Sequence, residues 1–376
     1  MTAPPPPPAS LPPPAAPPAP AASSAPPALS GCDRPLARAY DVALLDLDGV
    51  VYRGPQPVPH AAEALAAARG AGMRAAFVTN NALRRPAEVA AHLSAIGIPA
   101  APEEVVTSAQ AAARLLAQRL PPGSRVLIAG GPGLRDEVDA VGLRPVQRAG
   151  EGPLAVVQGF DPEITYARLA EAALAVRAGA LWVATNTDAT VPTDRGLLPG
   201  NGSLLALVGV ATGRAPALVA GKPERALHEE SVRRSGARHP LVVGDRLDTD
   251  VEGGVRAATA VLLVLTGVAT AADLFRAPAR QRPTYVAADL RGLLRAQHGA
   301  VVTGGRARCG GWACRVDDGV LRWEGRVAGG HGDGGHGDDG LDALRAACAA
   351  AWAAADAGRP VRSVAAPRPP GCETLG

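Results

Sequence analysis

Asp46 and Asp48 stand two residues apart at the end of an apolar run, "DVALLDLDGVVY" (41–52). A strand alternates its side chains with period two, so both carboxylates emerge on the same side of the chain. Gly49 follows and lets the backbone turn sharply. Two acids held together at a strand end repel each other unless something of opposite charge binds there. A divalent cation that prefers oxygen ligands, as magnesium does, meets that need. A solvated strand-end turn presents the same D-x-D-G, so the pair alone does not decide between the two readings.

Three further stretches place polar residues directly after apolar ones. Thr79, Asn80 and Asn81 close "RAAFVTNNA" (74–82). A hydroxyl and backbone N–H groups at such a turn suit an anion, and they suit a plain helix cap equally well. Lys222 lies in "PALVAGKP" (216–223) and is the single lysine among 38 basic residues. Lysine is a compact point charge with three donors, whereas arginine is longer, planar and forked. A site shaped around a phosphoryl group and a metal accepts the first and rejects the second. Gly221 and Pro223 set the turn on either side, and proline suits the first turn of a following helix. Finally, "VVGDRLDTD" (242–250) delivers Asp245 after an apolar run, with Asp248 and Asp250 close behind. Asp245 can reach a metal at that edge, and Asp250 can support the site from behind it.

These residues need strands to carry them. Apolar runs recur at 41–52, 74–82, 125–131, 154–160, 180–188, 216–223, 240–250 and 259–267. Helical patterns at 59–72, 86–98, 165–178 and 223–235 fall between them. Such alternation predicts an α/β fold, a doubly wound parallel sheet with its site at the C-terminal strand ends. A chain of 376 residues with roughly ten strand-like segments divides most naturally into two α/β domains. "IAGGPGL" (128–134) is no dinucleotide fingerprint, because Pro132 interrupts the glycine pattern.

Hydrophobic residues make up 47% of the chain and aromatics only 3%, so the core is built mainly from Ala, Val and Leu. The net charge of +3 comes from scattered arginines, which argues against a nucleic-acid or membrane partner. No run of apolar residues is long enough for a membrane span. Cys32, Cys309, Cys314, Cys348 and Cys372 form an odd, end-loaded set that is neither a disulfide framework nor a zinc site, and a cytoplasmic location is expected. The Pro- and Ala-rich start reads as an extended, solvated tail. Beyond about residue 296 the texture changes to a hairpin at 311–327, a glycine-rich stretch at 329–340 and an Ala-rich helix at 341–358. The histidines and aspartates of "HGDGGHGDD" read as a linker, since glycine there holds no geometry for a metal. Trp312, Trp323 and Trp352 are expected to form a small local core.

Acid pair, threonine, lysine and acid cluster follow one another in that order, each at the end of an apolar run. The stretches "DLDGV", "FVTNN", "GKP" and "VGDRLDTD" resemble the four motifs of the haloacid dehalogenase (HAD) superfamily of phosphatases. "VVQGFDPEITYARL", "WVATNTDATVPTDRGLLPGNGSLLALV" and "TGRAPALVAGKPE" are similar to the large α/β cap of its p-nitrophenylphosphatase-like or phosphoglycolate-phosphatase-like subfamily, although Thr187 stands where that subfamily often has proline. The resemblance runs from about residue 40 to 290. It implies a HAD-like core over 36–105 and 215–295 and an inserted cap over 106–214, while composition sets off a disordered tail over 1–35 and an appendage over 296–376.

The resemblance also implies an activity. The protein would be an Mg²⁺-dependent phosphatase that hydrolyses a small phosphorylated metabolite through an aspartyl-phosphate on Asp46. Asp48 would serve as general acid and then base. Mg²⁺ would be held by Asp46, Asp245 and the backbone carbonyl of Asp48. Thr79 and Lys222 would bind the phosphoryl oxygens, with Asn80 as a donor on the phosphate side, Asp250 orienting Lys222 or metal-bound water, and Gly49 in support. Glycerol 3-phosphate is the favoured substrate, ahead of 2-phosphoglycolate and pyridoxal phosphate. A phosphotransferase or mutase shares the same first step. A catalytically inactive binding protein on this scaffold would have lost Asp46, Asp48 or Lys222, and all three are present. Related enzymes dimerise through the cap, which implies a homodimer.

Overall fold

Valine, leucine and alanine dominate the strands, and most of these strands are buried on both faces. In Val42–Leu45 all four residues are buried. Val42 and Leu44 pack into one apolar cluster, while Ala43 and Leu45 pack into another on the opposite face. That double burial is why the strand segments read as continuous apolar runs without alternation. The structure is a computed structural model, and it describes residues 29–193, 195–326, 339–369, 372, 373 and 375.

The first sheet has six strands, in the order Tyr285–Ala287, Ala260–Val264, Pro240–Gly244, Val42–Leu45, Arg74–Thr79 and Val105–Thr107. All its pairings are parallel. From Val42–Leu45 the chain winds outward one way through Arg74–Thr79 and Val105–Thr107. It then returns to Pro240–Gly244 and winds outward the other way. The switch point therefore lies between Val42–Leu45 and Pro240–Gly244, where an open parallel sheet leaves a crevice at its C-terminal edge.

The second sheet is the inserted one. Its five parallel strands run Leu218–Val219, Leu181–Ala184, Ala155–Gln158, Arg125–Ala129 and Arg144–Val146. Helices Tyr166–Arg177 and Asn201–Thr212 cover one face. Strand pairing places both crossings between the sheets a few residues later than the resemblance implies. Val105–Thr107 stays with the first sheet and Leu218–Val219 joins the second. The expected helices form as Ala61–Gly70, Pro86–Ala95, Tyr166–Arg177 and Arg225–Ser235. Their ends are set by local chemistry: Thr165 accepts a hydrogen bond from the Arg168 N–H, and Gly236 closes the last of them with φ 60°.

The appendage is a third, five-stranded sheet, in the order Val301–Thr303, Arg306–Cys309, Trp312–Asp317, Val320–Arg326 and Ser363–Val364, backed by helix Asp342–Asp356. The expected hairpin is the pair Trp312–Asp317 and Val320–Arg326. Residues 327–338, with most of the glycine-rich stretch, lie outside the described residues. The three tryptophans belong to one large apolar cluster, but only two of them are in ring contact. Trp312 and Trp323 meet edge to face at 6.2 Å, whereas Trp352 donates its Nε1–H to the Leu274 carbonyl at 3.1 Å beneath the Arg282 guanidinium. Arg345 is buried among Asp339 and Asp342 and donates to the Val286 carbonyl at 2.6 Å, which fastens the appendage to the outer strand of the first sheet. Packing also begins before Leu36. Leu29 is buried and donates its N–H to the Pro283 carbonyl, and Cys32 pairs with Gln297. The first 28 residues of the expected tail lie outside the described residues. Among the described residues, no helix is long and apolar enough to cross a membrane.

Candidate active site

Each acidic strand end is held by backbone. Asp46 donates its N–H to the Val243 carbonyl at 2.8 Å, extending the ladder by one residue and setting Asp46 beside the end of Pro240–Gly244. Asp245 follows that strand and receives the Val268 N–H on Oδ2 at 2.7 Å. Two glycines make room for its carboxylate. A Cβ on Gly49, which has φ 83°, would fall 2.4 Å from Asp245 Oδ2, and a Cβ on Gly267 would fall 1.8 Å from it. Neither position can carry a side chain without displacing the acid. Asp245 is 1% exposed, and its Oδ1 has no hydrogen-bond partner.

Lys222 lies across the top of this arrangement. Its Nζ donates to Asp46 Oδ1 at 2.5 Å and to Asp250 Oδ1 at 2.8 Å. Asp250 also accepts the Arg246 N–H on its other oxygen at 3.2 Å. Burial works against the charge on Lys222, but Asp250 and Asp46 more than offset it and hold the pKa above that of an ordinary lysine. Burial raises Asp46 well above the usual carboxylate range; Lys222 opposes the rise, and Asp250 and Asp245 add to it. Asp245 is pushed up to about 6, first by burial and then by Asp250. Asp48 opens to solvent, yet the surrounding walls still raise its pKa against the pull of Arg84 and Lys222.

Asp46, Asp245 and Asp250 each offer an oxygen within 4.8 Å of the others. Three carboxylates face one ammonium, and an acidic oxygen is buried without a partner. An oxygen-coordinated divalent cation fits that donor set. Since Asp250 is engaged by Lys222 and Arg246, Asp46 and Asp245 are the acids left for it.

Thr79 is buried at the end of its strand and accepts the Asn81 N–H on Oγ1 at 3.1 Å. Asn80, expected from the sequence as a phosphate-side donor, lines the cavity with its side chain already engaged. Its Oδ1 accepts the Lys222 N–H at 2.8 Å, and its Nδ2 donates to the Lys222 carbonyl at 3.3 Å and to Asp188 Oδ2 at 3.2 Å. Both ends of the amide are thus engaged with Lys222 and the cap. Asp248 faces Arg246, which clasps it in a two-pronged pair at 3.0 and 2.8 Å.

A cavity of about 440 Å³ joins these groups. Asp46, Asp48, Thr79 and Lys222 line its floor, and the inserted domain contributes Asn186, Asp188 and Asn201 together with the hairpin segment 190–192. Sequence reasoning singled out none of the three cap residues. Asn186 and Asp188 follow Leu181–Ala184 just as Asn80 follows Arg74–Thr79, and the same strand-end logic applied to "ATNTD" would have found them. Asn201 opens a helix, and nothing in its local sequence marks it.

Known proteins match this chain over all three units. A haloacid dehalogenase-like hydrolase family model matches residues 43–144, and a HAD-hydrolase-like model matches residues 219–293. A D-glycerol 3-phosphate phosphatase of Mycobacterium tuberculosis is 49% identical over 85% of this chain and 88% of its own length. The chain belongs to the haloacid dehalogenase-like hydrolase family. This family member is a hydrolase whose named relatives are phosphatases. The crystal structure of glycerol phosphate phosphatase from M. tuberculosis in complex with magnesium superposes with TM-score 0.78 at 47% identity, covering 89% of this chain and 96% of that one. A 4-nitrophenylphosphatase from Thermotoga maritima superposes with TM-score 0.64 at 32% identity, covering 69% of this chain and 98% of that one. The appendage, which the sequence reading left without a role, matches a GCN5-related N-acetyltransferase-like domain model over residues 309–368.

Proposed function

We propose that this protein is an Mg²⁺-dependent phosphatase that hydrolyses glycerol 3-phosphate or a closely similar small phosphoester through an aspartyl-phosphate on Asp46. One observation carries the reading: Lys222 bridges Asp46 and Asp250, while Asp245 keeps a buried oxygen open beside them, in one cavity with Asp48 and Thr79. Asp46 attacks phosphorus and divides one difficult hydrolysis into two easier steps. Asp48 gives a proton to the leaving alkoxide and later takes one from the attacking water; its raised pKa suits the first task. Lys222 and Thr79 hold the phosphoryl oxygens, and Asp250 fixes the ammonium in place. Bound Mg²⁺, held by Asp46, Asp245 and the carbonyl of Asp48, supplies the positive charge that lets an anionic carboxylate meet an anionic ester. The cap walls exclude water and select the leaving group.

The 49% identical relative supports glycerol 3-phosphate over 2-phosphoglycolate and pyridoxal phosphate. Asp46→Asn is expected to keep the fold, read by circular dichroism, and to lose at least a thousandfold in phosphate release from both p-nitrophenyl phosphate and glycerol 3-phosphate, about 4 kcal/mol of barrier. EDTA should abolish wild-type turnover and Mg²⁺ restore it. Undiminished turnover by the variant sinks the assignment, and transfer of phosphate to an added alcohol in place of release turns it into a phosphotransferase.

Two wider readings belong to the same proposal. The cap carries exposed apolar residues on adjacent helices, Leu174 on one and Leu207 and Val210 on the other, which supports a homodimer through that face. Five free thiols, four of them buried, support a reducing, cytoplasmic setting.

A further inference from the structure

We infer that Asn80 is a positioning residue that couples the seating of Lys222 to the position of the cap. The inference rests on the reading of Lys222 as the ligand of the phosphoryl group. Asn80 stands where the chain crosses between the two sheets in both directions. Its backbone carbonyl accepts Ser108 Oγ at 2.6 Å, at the start of the helix that leaves the core, and Asn186 Nδ2 at 2.8 Å, from the cap. Its side chain clasps both the N–H and the carbonyl of Lys222, on the segment that returns from the cap. The same Nδ2 reaches Asp188 Oδ2 in the cap. One residue thereby touches the outgoing crossing, the incoming crossing and the cavity wall.

The packing at Gly221 shows how closely these pieces approach. A Cβ there would fall 2.6 Å from both Asn80 Oδ1 and the Thr185 carbonyl, so the backbone before Lys222 is wedged between core and cap. Among the described residues Asp188 is the only cap side chain bonded to the amide, and it is half-buried against the cavity. When the cap carries Asp188 away, the Asn80 amide loses one of its three side-chain hydrogen bonds, the one made outside Lys222. The amide that brackets the Lys222 Cα is then held by Lys222 alone. Lys222 is best seated when Asp188 is in place, which is when the cavity is walled.

The test is a double-substitution cycle on the full chain with p-nitrophenyl phosphate and saturating Mg²⁺. Asn80→Ala should lower kcat at least thirtyfold and Asp188→Ala about tenfold, each with KM within about threefold of wild type. The double variant should be no slower than Asn80→Ala alone, because both changes break one connection. Asp188→Asn keeps an oxygen that accepts from Asn80 and should recover kcat to within about threefold of wild type. Losses that multiply in the double variant overturn the coupling, and so does an Asp188→Asn enzyme as slow as Asp188→Ala. Should Asn80→Ala fail to fold, the Asp188 pair decides alone. Phosphate release by the wild type and its loss in Asp46→Asn test the underlying reading separately, so the two can fail independently.

Discussion

Replacing Lys222 by arginine keeps a positive charge and changes everything else about it. The ammonium donates to two acids at 2.5 and 2.8 Å from a side chain only 12% exposed. A planar guanidinium needs more room and presents its donors in a fixed fork. Lys222→Arg should therefore lose at least tenfold in kcat, about 1.4 kcal/mol. A wild-type rate in that variant would make the lone lysine an accident of composition. The sequence made this residue visible because the surrounding chain uses arginine for every other basic position. It made Asp46, Asp48 and Asp245 visible because each follows a run of buried residues. The task of Asn80 was not visible, since it depends on Lys222, 142 positions away, and on Asp188, 108 positions away. A polar residue at a strand end announces a site; which group it bonds is settled only when the strands assemble.

Helix Arg225–Ser235 begins shortly after Lys222 and contains a titrating group of its own. His228 packs half-buried with Nε2 3.0 Å from Thr259 Oγ1. Burial, and then Arg225, bring its pKa down to about 4. The folded chain keeps the ring neutral where the unfolded chain, with a pKa near 6.5, begins to take up a proton. Its contribution is complete above about pH 6.5 and is lost as the pH falls toward 4, on the order of 2 to 3 kcal/mol. Urea unfolding at neutral pH and near pH 5 should show that decline, and His228→Gln should lessen it; parallel losses in the two proteins would rule it out. At this scale the helices and the strand alternation were legible from periodicity and capping residues. Which sheet a strand joins was not. Leu218–Val219 and Ala260–Val264 look alike as apolar segments, yet one pairs with Leu181–Ala184 and the other with Pro240–Gly244.

Three large sheets are found among the described residues, and each unit leaves a different surface. The cap face offers Val210 at 89% exposure beside Leu207 and Leu174. If a second copy covers it, light scattering should give a dimer for the wild type and a monomer for Val210→Glu; a wild-type monomer at micromolar concentration removes the proposal. The appendage meets the core through Arg345 and Trp352 on the side of the outer strand Tyr285–Ala287, and none of its described residues lines the cavity. Its fold was only half legible, because the hairpin and helix have local signatures while their docking on the core depends on contacts distant in sequence, among them Arg345 to Val286, Trp352 to Leu274 and Arg282 to Asp356.

A chain with one lysine also has one side-chain amine. Acylating or alkylating reagents aimed at amines find no surface lysine to decorate, and the one they could modify is protonated, clasped by two carboxylates and walled in by the cap. A covalent tag on Lys222 would therefore record a moment when the active site had come apart. Among side-chain amines, composition leaves such a reagent one target, and peptide mapping separates a tag on Lys222 from one on the α-amino terminus.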